Sequence, residues 1–236
     1  MDIEAKQVFE EYDNEVYQTI FKRRDIRKFK TDPVPDDALV RILTAAHHGP
    51  SVGFMQPWNF ILIRDKAVKQ QIYDSFVRET GLAAENYDGE KKDLYLSLKL
   101  EGILESPVNL CVTYDISRFG PNQIGRNSMP EMGVYSVCCA IQNLWLAARS
   151  EGIGVGWVSI VGRDDIRKTL GIPQNILPVG YFCIGYPQEF PEDPELKTVG
   201  WVPRLSIKDL IYYEKWDDKK GEHWKEFQDL MGNDQK

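Results

Sequence analysis

The sequence predicts an α+β chain in which helices flank a small central mixed sheet, and three observations carry that reading. Four short apolar runs, Asn59–Ile63, Val108–Tyr114, Gly154–Val161 and Val179–Ile184, have the length of strands and end near turn-forming residues. Between them lie longer stretches with apolar residues at helical spacing, most regularly Val134, Val137, Cys138, Ile141, Leu144, Trp145 and Ala148. The 236 residues are 42% apolar, with no internal repeat or linker, so one large domain spanning 1–236 is expected.

Each element follows in order. Ala5, Val8, Phe9, Tyr12, Val16 and Ile20 recur at helical spacing and predict an N-terminal helix over 1–22. Thr31-Asp32-Pro33-Val34-Pro35 breaks the pattern, and Asp36 or Asp37 can cap a second helix with Leu39, Ile42, Leu43 and Ala46 on its apolar face. Gly49-Pro50 stops that helix before a loop from Ser51 to Pro57. After the first strand, Lys66 to Arg78 reads as helix, whereas Thr80 to Lys92 is polar and without a period, so about 80–100 is a candidate mobile lid. Leu94 to Glu105 reads as helix again. The Val134–Ala148 stripe ends at Gly152, and Asp164 to Leu170 forms a capped helix closed by Gly171. From about 186 the chain is an arm whose Trp201, Tyr212, Tyr213, Trp216 and Trp224 suit wrapping a second subunit.

Composition narrows the function. A net charge of -7 does not suit a general nucleic-acid or anionic-membrane surface. No apolar stretch approaches the roughly 20 residues of a membrane span, and Met1-Asp2-Ile3-Glu4 lacks a secretory pattern, so a cytoplasmic location is expected. Cys111, Cys138, Cys139 and Cys183 have no metal-ligand spacing and read as buried free thiols. Adjacent His47 and His48 would diverge on a helix, and a bound metal is not expected. There is no GxGxxG or GxxxxGK[ST], so any phosphate is held by side chains.

Arg23-Arg24-Asp25-Ile26-Arg27 is the motif richest in chemistry. Its three permanent cations suit a phosphorylated ligand, because the guanidinium fork matches phosphate oxygens two at a time. Asp25 is out of place in a plain phosphate clamp: it either neutralises a neighbouring arginine or does chemistry. Gly154 and Gly156 would allow a backbone to approach a flat ring closely.

Three segments, Arg23–Arg27, Pro50–Trp58 and Gly152–Ser159, resemble in order and spacing the signature segments of the FMN-dependent nitroreductase superfamily, over roughly residues 15–210. The likeness is greater to the 5,6-dimethylbenzimidazole synthase branch, through Leu96–Ile103, Pro107–Val112 and Gln142–Arg149, and through Asp25 and the run Gly156-Trp157-Val158-Ser159. The resemblance implies a nitroreductase-like flavin fold, a homodimer with C-terminal arm exchange, and oxygen-dependent fragmentation of reduced FMN to 5,6-dimethylbenzimidazole and erythrose 4-phosphate. FMN is then substrate as well as apparent cofactor, with NAD(P)H or a separate flavin reductase as the upstream source of electrons. Asp25 and Ser159 match the family's catalytic positions. Arg23 and Arg204 match phosphate ligands, and Arg27 matches the cation facing flavin N1 and O2. Arg24 and Ile26 belong to the same flavin-binding segment, while Pro50 and Ser51 match a loop that reaches the flavin, often from the partner subunit. The chemistry is consistent: making a benzimidazole from the ring and ribityl C1′ needs a proton removed beside a nitrogen, which a carboxylate can do. Alternatives on the same fold are an NAD(P)H-dependent nitro- or flavin reductase and a deiodinase, and outside catalysis a flavin-binding protein.

Overall fold

A computed structural model describes residues 14–120, 122, 124–216 and 224–226. The chain divides into two compact units, Arg23–Phe190 and a second made of Met1–Lys22 with Pro191–Lys236. In the second, helix α1 (Glu15–Lys22) leaves Val16, Tyr17 and Ile20 exposed and stacks Tyr17 against Phe21, with ring centroids 6.1 Å apart. The earlier part of the expected N-terminal helix lies outside the described residues.

The first unit is a sheet between two helical layers. Its strands, β1 (Trp58–Ile63), β2 (Val108–Asp115), β3 (Gly154–Val158) and β4 (Ile176–Gly185), are ordered β1-β2-β4-β3. Every pairing among them is antiparallel, so among the described residues the only parallel component of the sheet expected to be mixed is a bridge between Asp25 and Val155. The central strands are buried along most of their length because both faces are covered. Val108, Leu110 and Val112 of β2 and Phe182 and Ile184 of β4 join helices α2 (Asp36–His47) and α5 (Met132–Ser150) in one core. Cys111, Tyr181 and Cys183 alternate to the other face and pack with Ile72 of α3 (Lys66–Ala84) and Ile166 of α6 (Arg163–Leu170).

Helix α5 buries Val137, Ile141, Leu144, Trp145 and Ala148 of the stripe read from the sequence, whereas Val134 and Cys138 are half-buried and Gly133 and Ala140 are buried in addition. A Cβ at Gly133 would meet the Tyr114 ring at 2.3 Å, so glycine lets the helix settle on the sheet. Asp65 caps α3, its carboxylate accepting from the amides of Ala67 and Val68, and Gly171 closes α6 at φ +63°.

Four local expectations change. Pro35, rather than Asp36 or Asp37, occupies the cap of α2, and both aspartates lie in its first turn, where they still face the positive end of the helix. Residues 80–92 are not a structureless loop, since α3 continues to Ala84 and α4 spans Gly89–Ser97. The helix read over 94–105 correspondingly ends at Ser97. Of the four thiols only Cys111 and Cys183 are buried, and burial pushes both up to about 12; Cys138 is half-buried and Cys139 exposed on α5. Among the described residues no helix is long and apolar enough to cross a membrane.

Candidate active site

The arginine-rich motif is an extended segment laid along β3. The Ile26 amide donates to Val155 O at 3.0 Å, and beyond Phe29, which bridges to Pro187, the Lys30 amide donates to Tyr186 O at 2.8 Å. Extended backbone alternates its side chains. Ile26 therefore drops into the core at 3% exposure, while Asp25 and Arg27 project together on the opposite side. Two glycines make this fit: a Cβ on Gly154 would meet the Ile26 side chain at 2.9 Å, and one on Gly156 would meet Ile26 O at 2.0 Å. The space that was expected to admit a flat ring admits this backbone instead.

Asp25, Arg27 and Trp157 close a three-way clamp. The Trp157 amide donates to Asp25 Oδ1 at 2.8 Å, while Arg27 Nη1 donates to the same oxygen at 2.9 Å and to Trp157 O at 3.0 Å. Arg27 Nη2 adds a second contact, to Asp25 Oδ2. Burial raises the Asp25 carboxyl above the ordinary carboxylate range, outweighing the lowering pull of Arg27, the Trp157 amide and Arg23. The group nevertheless remains within reach of a ligand, with 37% of its side chain exposed against 15% for Arg27. The result is a fixed carboxylate of raised basicity, accessible at its rim. Raised carboxylates in such settings are candidates for proton transfer.

The remaining expected residues are distributed unevenly. Ser159 lies one residue past β3, exposed, and two residues from the amide that holds Asp25. Arg23 places its guanidinium 4.8 Å from the centre of the Trp145 ring. Arg24, expected within the flavin-binding segment, is buried, and its Nη1 donates to Arg23 O at 2.7 Å. Ile26 contributes backbone and core packing. The exposed Pro50 and half-buried Ser51 begin a loop moored to α5, where the Val52 amide donates to Ser136 Oγ at 3.1 Å. Ser51 Oγ itself accepts from the Gln56 amide at 3.1 Å. Arg204 is exposed in the second unit. The sequence reading did not find the part played by the Trp157 backbone. Its signal was the spacing of Asp25 and Arg27, two apart and so on one side of an extended segment.

The residues present fit a flavin mononucleotide: the Arg23 guanidinium would supply charge for a phosphate, Arg27 beside the accessible carboxylate would meet a ring that gains negative charge, and Ser159 has an exposed hydroxyl. A cleft with a volume of about 420 Å³ lies elsewhere, lined among others by Leu43, His47, Trp58, Phe60 and Arg118. Its cation is already committed, since Arg118 donates to Gln56 O at 2.8 Å and to Trp58 O at 3.0 Å. His47 Nδ1 accepts from Trp58 Nε1 at 3.1 Å. This cleft is thus poorer in chemistry than the clamp.

This arrangement, an antiparallel sheet between helical layers with an arginine-rich segment along one strand, is an α+β fold. The chain belongs to the nitroreductase family, whose model matches residues 20–186. It is 41% identical to the 5,6-dimethylbenzimidazole synthase of Rhodospirillum rubrum over 182 residues, 77% of this chain and 86% of the relative. Two solved structures share the fold. An iodotyrosine deiodinase bound to FMN and 3-iodo-L-tyrosine aligns with a TM-score of 0.67 at 23% identity, covering 85% of this chain and 100% of its own. A BluB-like flavoprotein from Clostridium difficile 630 aligns at 0.65 and 20% identity, covering 86% and 100%.

Proposed function

We propose that this protein takes reduced FMN as substrate and, with O2, fragments it to 5,6-dimethylbenzimidazole and erythrose 4-phosphate. The observation that carries the proposal is the clamp: an accessible carboxylate of raised pKa, fixed by the Trp157 amide and Arg27. The identity to a synthase of that name supports the same reading. Bound reduced FMN supplies the electrons for O2 and the atoms of the benzimidazole.

The chain's own groups divide the remaining work. Arg23 holds the phosphate, and Arg27 faces the pyrimidine edge of the ring, where reduction places negative charge. Asp25 takes the proton released beside the ring nitrogen. Its raised pKa makes it a stronger base than an ordinary aspartate. Ser159 directs protonation at N5. Pro50 and Ser51 complete the site from a partner subunit in a homodimer, and α4 with its flanking turns covers it, keeping water from the reacting atoms. NAD(P)H, directly or through a separate flavin reductase, reduces fresh FMN to the substrate form, and the reaction is cytoplasmic.

Asp25→Asn tests the assignment. It keeps the shape and a hydrogen-bond acceptor for Trp157 but removes the base. FMN affinity by fluorescence titration should change only a few-fold, while benzimidazole formation falls by about 100-fold or more, the usual contribution of a positioned base. A variant that retains full product formation rules out Asp25 as the base.

A further inference from the structure

Trp145 lies on the core stripe of α5 and touches the arginine segment twice. Its ring lies under the Arg23 guanidinium, 4.8 Å from carbon to centroid, and its Nε1 donates to Arg24 O at 3.3 Å. The side chain is 7% exposed and belongs to an aromatic group in which Trp157 and Phe182 lie 6.3 and 6.2 Å away, centroid to centroid. Trp157 and Phe182 are themselves 5.0 Å apart. The same group thus supports both halves of the motif: Trp157 holds Asp25 and Arg27 through its backbone, and Trp145 holds Arg23 and Arg24 through its side chain.

We infer that Trp145 is the positioning residue for the phosphate clamp, setting the Arg23 guanidinium so that the protein prefers a flavin mononucleotide to the unphosphorylated flavin. The inference rests on the reading of Arg23 as a phosphate ligand and is independent of what the enzyme makes. Arginine has many rotamers, and an unsupported one must be ordered when the phosphate arrives. A guanidinium already lying on an aromatic face has less freedom to lose. The indole also fixes the carbonyl between Arg24 and Asp25, so the cation and the carboxylate are set from one rigid group. An aliphatic residue would fill the core but supply neither contact.

The test compares the affinities of FMN and riboflavin for the full-length protein by flavin fluorescence quenching, without turnover. Trp145→Leu should lower the FMN-to-riboflavin affinity ratio by about 3- to 30-fold, the range of a partly desolvated cation–π contact. Riboflavin binding should hardly change. In an Arg23→Ala background the same substitution should leave the ratio where Arg23→Ala alone put it. Trp145→Phe, which keeps an aromatic face and a closer volume, should lower the ratio less, and it carries the test in both backgrounds if the leucine variant does not fold. Equal weakening of both flavins, or an equal fall in the ratio with and without Arg23, would make Trp145 a packing residue only and overturn the inference. Arg23→Ala that leaves the ratio untouched would remove the phosphate assignment beneath it, while leaving benzimidazole synthesis to be judged by its product.

Discussion

The Arg23–Phe29 segment and helix α4 are both short pieces outside the four-stranded sheet, and they are held in opposite ways. The segment is bridged to its neighbours at Asp25 and Phe29, and it buries Ile26 and Phe29 to 3% exposure each. Helix α4 buries only Tyr95, starts at a glycine with φ +52°, and has no side-chain cap at its N-terminus. Tyr95 meets Tyr87 at 5.1 Å between ring centroids, a local contact within the same stretch of chain. The difference separates two tasks. Groups that hold a reacting molecule need a rigid base, whereas a cover must open at low cost.

The most damaging change to the rigid side is Gly156→Ala. Its Cβ would lie 2.0 Å from Ile26 O, a backbone atom that cannot rotate away. The segment must lift from β3 or the strand must bend, at about 3 kcal/mol or more, the upper end of overpacking costs. Thermal denaturation should show the loss, and flavin affinity should fall with it. An alanine variant with native stability and affinity would show that the close approach does not hold the site.

Arg27→Gln acts on the same clamp more gently. Arg27 is the largest of the influences lowering the Asp25 carboxyl, so without it burial acts with less opposition and the pKa rises further. A base must be ionised, so activity is lost as pH falls through that pKa, and the acid limb of the pH–rate profile should move to higher pH in the variant. Stability carries the reverse sign. With the folded pKa above the unfolded one, the contribution of Asp25 is complete below the ordinary carboxylate range and lost as pH rises through its folded pKa. Asp25→Asn should remove that slope from a plot of melting temperature against pH.

On the loosely held side the expected structural effect is smallest. Tyr95→Ala removes the one buried side chain of α4. Amide exchange should quicken over residues 85–98 and little elsewhere, with a melting temperature lowered by no more than a few degrees. The coupling of FMN loss to benzimidazole formation should fall, with more intact oxidised flavin returned. Unchanged coupling would remove α4 from the role of cover.

Much of this contrast was legible in the sequence, and the parts that were not share a physical cause. The strands and α5 were readable because each buries apolar residues at its own period. Helix α3 was expected to end at Arg78 because its last turns carry Gly81 and an exposed Leu82 and show no apolar period, while Lys69 and Ser75 occupy two of its buried positions. Lys69 is tolerated inside because its ammonium donates to Ser106 O at 2.5 Å and to Pro107 O at 3.2 Å, a tertiary arrangement invisible in α3 itself. The motif residues were found, but their partners were not. Whether Gly156 faces a ligand or Ile26 depends on which segment pairs with β3, and composition does not say.

The most direct measurement is product analysis after mixing the purified protein with chemically reduced FMN in air. The account predicts 5,6-dimethylbenzimidazole appearing as flavin is lost, in equal amounts by chromatography and mass. Quantitative return of intact oxidised FMN, with hydrogen peroxide as the only other product, would contradict it and leave a flavin reductase or carrier built on the same clamp.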